Sequence, residues 1–258
     1  MPLHSVQRLS PTAVLGLWQL TETPAELWAG LPQQARYAPL LPATADERRQ
    51  AQWLAGRRLA HALFDELAEL LPPDTILRNE ATGRPWLAGA PAETVVSLSH
   101  SGAWVAAVLA SEGRAGVDIE QIRDKAQRLA PKFLNETELT HARAVGAASH
   151  PAATAAMEAT TTTAIETAET AAAEFRETPG RAAAHYTLLW SAKEALYKLA
   201  ARRGILFRQQ LLLHEFTPQA SGEIPATLVL DGIRTRHRIC YTRPAPGYVL
   251  TYCHEPAG

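Results

Sequence analysis

Residues 116–120 have the sequence Gly-Val-Asp-Ile-Glu, and the interpretation of the rest of the chain starts from this stretch. Its alternation of apolar and acidic residues predicts a short strand, because successive side chains of a strand point to opposite faces. Val117 and Ile119 then enter a core, while Asp118 and Glu120 stand side by side on the other face. Two carboxylates this close repel each other unless a cation lies between them, and Mg²⁺ prefers such oxygen ligands. The alternative is an acidic strand face that is exposed to water.

A second acidic stretch, Trp-Ser-Ala-Lys-Glu-Ala-Leu-Tyr-Lys at residues 190–198, is typical of a helix. Glu194 and Lys198 are four residues apart and therefore lie on one helical face. Lys193 points about 100° away from Glu194 and is not expected to share a site with it. Taken alone, a Glu and a Lys at this spacing usually form a surface ion pair, so this stretch does not by itself indicate a function.

Together the two stretches resemble the paired signature of the 4'-phosphopantetheinyl transferases, in particular the Sfp-type, acyl-carrier-protein synthase-like branch. The resemblance covers roughly residues 44–122 and 185–216. It implies transfer of phosphopantetheine from coenzyme A to a serine of an apo carrier protein (acyl, peptidyl or polyketide), with release of 3',5'-ADP. A CoA-binding regulatory relative without transferase activity is the alternative, although binding alone would not need three carboxylates and Lys198.

The resemblance also implies roles for individual residues. Asp118, Glu120 and Glu194 would hold Mg²⁺ against the CoA diphosphate, and Lys198 would neutralise phosphate charge. Glu194, directly or through water, is the candidate for accepting the serine proton. Asp118, Glu194 and Lys198 are therefore the predicted catalytic residues.

Further residues are predicted to bind the nucleotide end of CoA. Two short motifs resemble family turns, Gly-Arg-Pro at residues 83–85 and Ser-His-Ser-Gly at residues 99–102, and arginines cluster on the first long helix. Arginine suits phosphate binding because its planar fork can donate two hydrogen bonds at once. The predicted CoA-binding residues are Arg48, Arg49, Arg57, Gly83, Arg84, Pro85, Ser99, His100 and Lys198. A histidine in a turn without a role, and arginines on a solvated helix face, are the alternatives.

Composition narrows the class of protein. The chain has 258 residues, 47% of them hydrophobic, a net charge of −1 and two cysteines, Cys240 and Cys253. The near-zero charge gives no basic field for nucleic acid, and no apolar run is long enough for a membrane span. Two cysteines in a chain of this size are not a disulfide scaffold. We expect a cytoplasmic protein that binds neither nucleic acid nor membranes. The pseudo-dimer that the resemblance implies favours a monomer, because one chain then supplies both halves.

The pattern of elements predicts an α+β fold. A capping box with Thr44 as N-cap begins a helix that runs to about residue 71, and strands follow at 94–98, 103–110 and 116–120. A second long helix, 185–203, precedes four more strands. The resemblance implies a pseudo-dimer of two similar halves, 1–113 and 114–258, each an antiparallel sheet packed with a long helix, with CoA between them. An Ala/Thr-rich insert at about 146–184 can bury little.

Overall fold

The computed structural model describes residues 2–42, 44–147 and 180–257. Most of the Ala/Thr-rich insert lies outside the described residues. The elements of the N-terminal part are β1 (Leu3–Ser10), β2 (Ala13–Gln19), α1 (Pro24–Ala29), α2 (Gln34–Tyr37), α3 (Glu47–Glu66), β3 (Ile76–Asn79), β4 (Pro85–Ala88), β5 (Val95–Ser101) and β6 (Trp104–Ala110). Those of the C-terminal part are β7 (Arg114–Gln121), α4 (Asp124–Phe133), α5 (Glu136–Ala147), α6 (Arg181–Ala200), α7 (Phe207–Gln210), β8 (Leu211–Leu213), β9 (Gly222–Leu230), β10 (Ile233–Thr242) and β11 (Tyr248–Glu255).

Two antiparallel sheets form the framework. The first has the strand order β1-β2-β6-β5 and is covered on one face by the 20-residue helix α3. The second has the order β7-β11-β10-β9-β8 and is covered by α6, which is also 20 residues long. The predicted α+β class with antiparallel sheets is confirmed. The relation of the two halves as a pseudo-dimer stays a prediction.

The uncovered faces of the two sheets pack against each other. Leu17 and Trp104 of the first sheet share a buried apolar cluster with Val117, Ile119 and other residues of the second sheet. The apolar side chains of the 116–120 stretch therefore point into this cluster, and Asp118 and Glu120 point to the opposite side, as their alternation predicts. The boundary between the sheets brings β5 and β7 together.

The close approach of α6 to β7 depends on a glycine. A Cβ atom at Gly116 would collide with the carbonyl oxygen of Ala195 in α6. The absence of a side chain lets the helix lie directly on the strand, and this contact brings Glu194 and Lys198 next to the acidic face of β7.

Several predicted boundaries are wrong. Helix α3 is capped by Asp46, whose side chain accepts a hydrogen bond from the backbone N–H of Arg49 (2.8 Å), and not by Thr44. Aspartate is at least as good an N-cap as threonine, so two local signals competed two residues apart. Helix α6 begins at Arg181, inside the predicted insert, and ends at Ala200, before residues 202–203.

The elements that were not predicted include β1, the hairpin of β3 and β4, and α4. Strand β1 is an edge strand whose side chains are mostly exposed or half-buried, so its sequence lacks a clear apolar alternation. Helix α4 contains Pro131, which usually argues against a helix interior. None of the helices in the described ranges combines the length and apolar character that crossing a bilayer requires.

Candidate functional site

The two carboxylates of β7 are held by side chains from β5 across the boundary between the sheets. The hydroxyl of Ser99 donates a hydrogen bond to Asp118 Oδ1 (2.8 Å), and that of Ser101 donates to Glu120 Oε2 (3.0 Å). Ser97 belongs to the same series, because its Oγ accepts a hydrogen bond from the backbone N–H of Val117 (3.0 Å). Serines at every second position of β5 thus connect the two sheets.

Helix α6 adds a cation and a third carboxylate. Lys198 Nζ donates hydrogen bonds to Asp118 Oδ1 (2.9 Å) and to the backbone oxygen of Val117 (2.8 Å). Lys198 therefore pairs with a carboxylate of β7, and not with Glu194 on its own helix. Burial, followed by the negative charge of Asp118, raises the pKa of Glu194 to about 7 against the opposing charge of Lys198. The three predicted carboxylates thus lie within electrostatic reach of one another.

Glu120 has the same unfavourable surroundings as Glu194. Burial is the main cause that raises its pKa, and the neighbouring charge of Asp118 adds to it. Hydrogen bonds from Ser101 and from the indole Nε1 of Trp190 (3.1 Å to Glu120 Oε1) act in the opposite direction. A carboxyl group in this position gains from a positive charge nearby.

The neighbour of Glu194, Lys193, lies outside this cluster, as predicted. Its ammonium is fully buried and donates hydrogen bonds to Glu138 Oε2 (2.7 Å) and to the backbone oxygens of Phe133 and Phe207. Glu138 in turn accepts hydrogen bonds from the backbone N–H groups of Asn135 and of a residue in β8. This buried ion pair links α6 to α5 and helps to determine which face of α6 packs against β7.

The acidic cluster has features that suit a hard cation. Asp118 Oδ2 is buried and has no hydrogen-bond partner, and the pKa values of Glu120 and Glu194 are both raised by surrounding negative charge as well as by burial. An oxygen of this kind is costly to bury unless something binds it. As the side chains stand, however, the described residues contain no group of three or more His, Cys, Asp or Glu side chains arranged to hold a metal ion. The Mg²⁺ assignment stays a prediction.

His100 lies in β5, so the prediction that residues 99–102 form a turn is wrong for its first three positions. Its side chain keeps contact with solvent, yet lost hydration lowers the pKa of His100, and the positive charges of Lys198 and Arg49 lower it further. The nearby charge of Asp118 acts in the opposite direction. His100 therefore lies within reach of the charges of Arg49 in α3 and Lys198 in α6, in a region suited to an anion.

A cleft of about 830 Å³ extends from Lys198 along the boundary between the two sheets. Both polar and apolar side chains line it, and they come from the β4 turn, from β5, from the start of β7 and from the end of α6. Among them are Gly83, Arg84, Pro85, Trp86, Tyr197 and Lys198. Arg84 spans the cleft, because its guanidinium donates a hydrogen bond to the backbone oxygen of Ala201 (3.4 Å).

The predicted arginines of α3 differ in their surroundings. Arg48 and Arg49 are exposed, and Arg49 is the one whose charge acts on His100. Arg57 is almost completely buried, lies 3.7 Å over the ring of Trp53 and donates a hydrogen bond to Asn79 Oδ1. Burial lowers the pKa of Arg57 to about 10. The guanidinium of Arg57 therefore already has partners within the fold, and the exposed side chain of Arg49 is better placed to bind a phosphate.

Two residues of the site were not predicted, Ser101 and Trp190. The spacing of Ser97, Ser99 and Ser101 on one strand was visible in the sequence, because every second residue shares a face. The partner strand was not visible, since β5 and β7 are joined through side chains across two sheets.

Family comparisons agree with this architecture. Residues 114–253 match the model of the 4'-phosphopantetheinyl transferase superfamily, and residues 31–110 match that of the 4'-phosphopantetheinyl transferase N-terminal domain. The matched superfamily range includes the acidic strand β7, the helix α6 and all of the second sheet except the last two residues of β11. The chain belongs to the 4'-phosphopantetheinyl transferase superfamily.

Two curated relatives have related names. The chain is 27% identical over 204 residues to the 4'-phosphopantetheinyl transferase psf-1 of Bacillus pumilus, covering 79% of this chain and 66% of the relative. It is 40% identical over 78 residues to the 4'-phosphopantetheinyl transferase AcpT of Salmonella typhimurium, covering 30% of this chain and 36% of the relative. The chain thus spans just under two thirds of one relative's length and about a third of the other's.

Proposed function

We propose that this protein transfers the 4'-phosphopantetheine group of coenzyme A to a serine of an apo carrier protein. The observation that supports this most directly is the meeting of three carboxylates with Lys198, which also lines the cleft, in a chain of this superfamily. An acidic cluster beside a cationic side chain suits a substrate with a diphosphate. Binding of the nucleotide alone would not need the carboxylates.

In the proposed reaction the serine oxygen forms a bond to the β-phosphorus of CoA, and the bond from that phosphorus to 3',5'-ADP breaks. The serine proton moves to Glu194, directly or through a water. A general base works best when its pKa lies close to the working pH, and without a bound cation the pKa of Glu194 is raised to about 7. A cation bound beside Glu194 would lower this pKa and favour the ionised carboxylate, the form that accepts a proton.

Asp118, Glu120 and Glu194 would hold Mg²⁺, which when bound offsets negative charge on the diphosphate. Lys198 supplies a fixed positive charge beside these carboxylates. Its ammonium has three N–H donors, two of which bond to Asp118 Oδ1 and to the oxygen of Val117, and the third remains for a phosphate oxygen.

The nucleotide end of CoA is proposed to lie along the cleft, with its phosphates near His100, Arg49 and Arg84. Arg49 and Lys198 both lie near enough to His100 for their charges to lower its pKa, and Arg84 lines the cleft beside Gly83. The halves 1–113 and 114–258 would then supply opposite walls within one chain, so we propose that the protein acts as a monomer.

Intact-protein mass spectrometry tests the proposal. An apo carrier protein is incubated with this protein, CoA and Mg²⁺, with parallel reactions in EDTA and with Glu194→Gln. We expect the carrier to gain one phosphopantetheine group in the complete reaction, and much less in both controls. Binding of CoA without modification of acyl, peptidyl or polyketide carriers would instead support the regulatory alternative.

A further inference from the structure

Both oxygens of Glu120 are bonded, and the donors come from opposite sides of the site. Ser101 Oγ in β5 donates to Oε2 (3.0 Å), and Trp190 Nε1 in α6 donates to Oε1 (3.1 Å). One donor thus belongs to the first sheet, and the other belongs to the helix that covers the second sheet. The orientation of this carboxylate depends on how the two halves fit together.

Neighbouring groups restrict the orientation of both donor side chains. The Ser101 hydroxyl also accepts a hydrogen bond from the backbone N–H of Gln121 (3.1 Å), so its rotation is restricted. The Trp190 ring is stacked on Phe207 (5.7 Å between centroids) and meets Phe133 edge-on (5.1 Å). An indole N–H can only donate a hydrogen bond, and the packing of the Trp190 ring fixes where this N–H points. The position in front of it therefore suits an acceptor such as a carboxylate oxygen.

We propose that Ser101 and Trp190 are positioning residues that fix the Glu120 carboxylate in the orientation needed to bind a divalent cation. The inference rests on the proposed function for the cation assigned to Glu120, and it adds two residues to which no role was assigned. A carboxylate oxygen has two lone pairs, so one hydrogen bond on each oxygen leaves one lone pair on each for a cation. Groups that orient metal ligands in this way commonly change metal affinity or activity by about 10–100-fold when they are removed.

Nuclear magnetic resonance of the indole N–H groups tests the geometry without metal or substrate. Trp190→Phe identifies the Trp190 signal by its disappearance from the ¹⁵N–¹H spectrum. We expect Glu120→Gln to shift that signal strongly, because a charged acceptor is replaced by a neutral one, and Ser101→Ala to shift it less. A Trp190 signal that is unchanged in Glu120→Gln would overturn the inference.

Calorimetric titration with Mg²⁺ alone tests the consequence. Ser101→Ala and Trp190→Phe should each weaken binding about 10–100-fold, while Ser101→Thr, which keeps the hydroxyl, should restore most of the affinity. Ser97→Ala is the matched control, because it removes a hydroxyl of the same strand that accepts a hydrogen bond from the backbone N–H of Val117 and belongs to neither donor of Glu120. Its Mg²⁺ affinity should equal that of the wild type, although its melting temperature should fall.

The outcomes separate this inference from the proposed function. If the wild type modifies no carrier but binds Mg²⁺ with the expected variant pattern, the positioning roles stand and the transferase proposal fails. If the wild type modifies carriers but folded Ser101→Ala and Trp190→Phe bind Mg²⁺ as tightly as it does, the positioning roles are refuted and the transferase proposal stands. A wild type that binds no Mg²⁺ overturns the inference together with the metal assignment.

Discussion

Replacing Glu194 by glutamine should stabilise the metal-free protein at alkaline pH. The pKa of Glu194 is raised from 4.5 to about 7, mainly by burial and by the charge of Asp118. At a pH between these two pKa values, Glu194 therefore keeps its proton in the folded state but has lost it in the unfolded chain. The stabilisation from this proton is complete below about pH 4.5 and is lost as the pH rises through about 7.

The magnitude follows from the two pKa values. At 1.36 kcal/mol per pKa unit, ionised Glu194 costs the fold up to about 3 kcal/mol at pH 8. Glutamine has nearly the same shape and no charge, so it avoids this cost. For a domain of this size about 3 kcal/mol corresponds to a rise in melting temperature of roughly 6–12 °C.

The assay is thermal unfolding in EDTA at pH 5 and pH 8. Glu194→Gln should melt well above the wild type at pH 8 and close to it at pH 5. Glu93→Gln, a change at an exposed position, is the matched control and should have no effect at either pH. With Mg²⁺ at pH 8 the wild type should gain more than the variant, because its carboxylate is then compensated. Equal melting temperatures in EDTA at pH 8 would refute the unfavourable electrostatics described for this site.

Three further predictions test the site and the buried ion pair beneath it. His100→Ala should weaken CoA binding by about 1.5–3 kcal/mol, roughly 10–150-fold, because a hydrogen bond to a charged group is lost; an unchanged calorimetric dissociation constant would contradict this. In carrier modification across a Mg²⁺ titration, Glu120→Ala should recover part of its lost rate at high Mg²⁺, and Glu194→Gln much less, since its proton acceptor is missing too. Full recovery of Glu194→Gln would make that residue a ligand only. Lys193→Met should lower the free energy of unfolding in urea by about 3–5 kcal/mol, because it leaves the Glu138 carboxylate buried and unpaired, and adding Glu138→Gln should return part of the loss.

The helices and strands that were predicted well have strong local periodicity. The alternation in residues 116–120 correctly separated the side chains in the core between the sheets from those that face α6. The helical spacing of residues 190–198 correctly separated Glu194 from Lys193. The elements that were missed lack such a signal, because an edge strand, a four-residue hairpin strand and a helix with an internal proline depend on their neighbours for stability.

The acidic cluster itself could be anticipated only through the resemblance, since Glu194 lies more than 70 residues from Asp118 and Glu120 in the chain. The sequence also suggested a partner for Lys198 on its own helix, but that lysine bonds to Asp118. A charged side chain binds the acceptor that tertiary packing brings closest, and helical spacing only narrows the choice. Tertiary packing also decides the burial of Arg57, which lies over the ring of Trp53 although its position on α3 suggested exposure.

The sequence by itself determined which face of each element is apolar, where the acidic residues stand on their strand and helix, and the superfamily to which the chain belongs. These properties follow from periodicities of two and 3.6 residues and from short motifs, so they need no knowledge of distant contacts. Only the tertiary structure decided that serines of β5 hold the carboxylates of β7, and that Ser101 and Trp190 together orient Glu120. Those contacts join residues up to 70 positions apart, and they exist because two sheets pack face to face while a glycine lets α6 lie directly on β7.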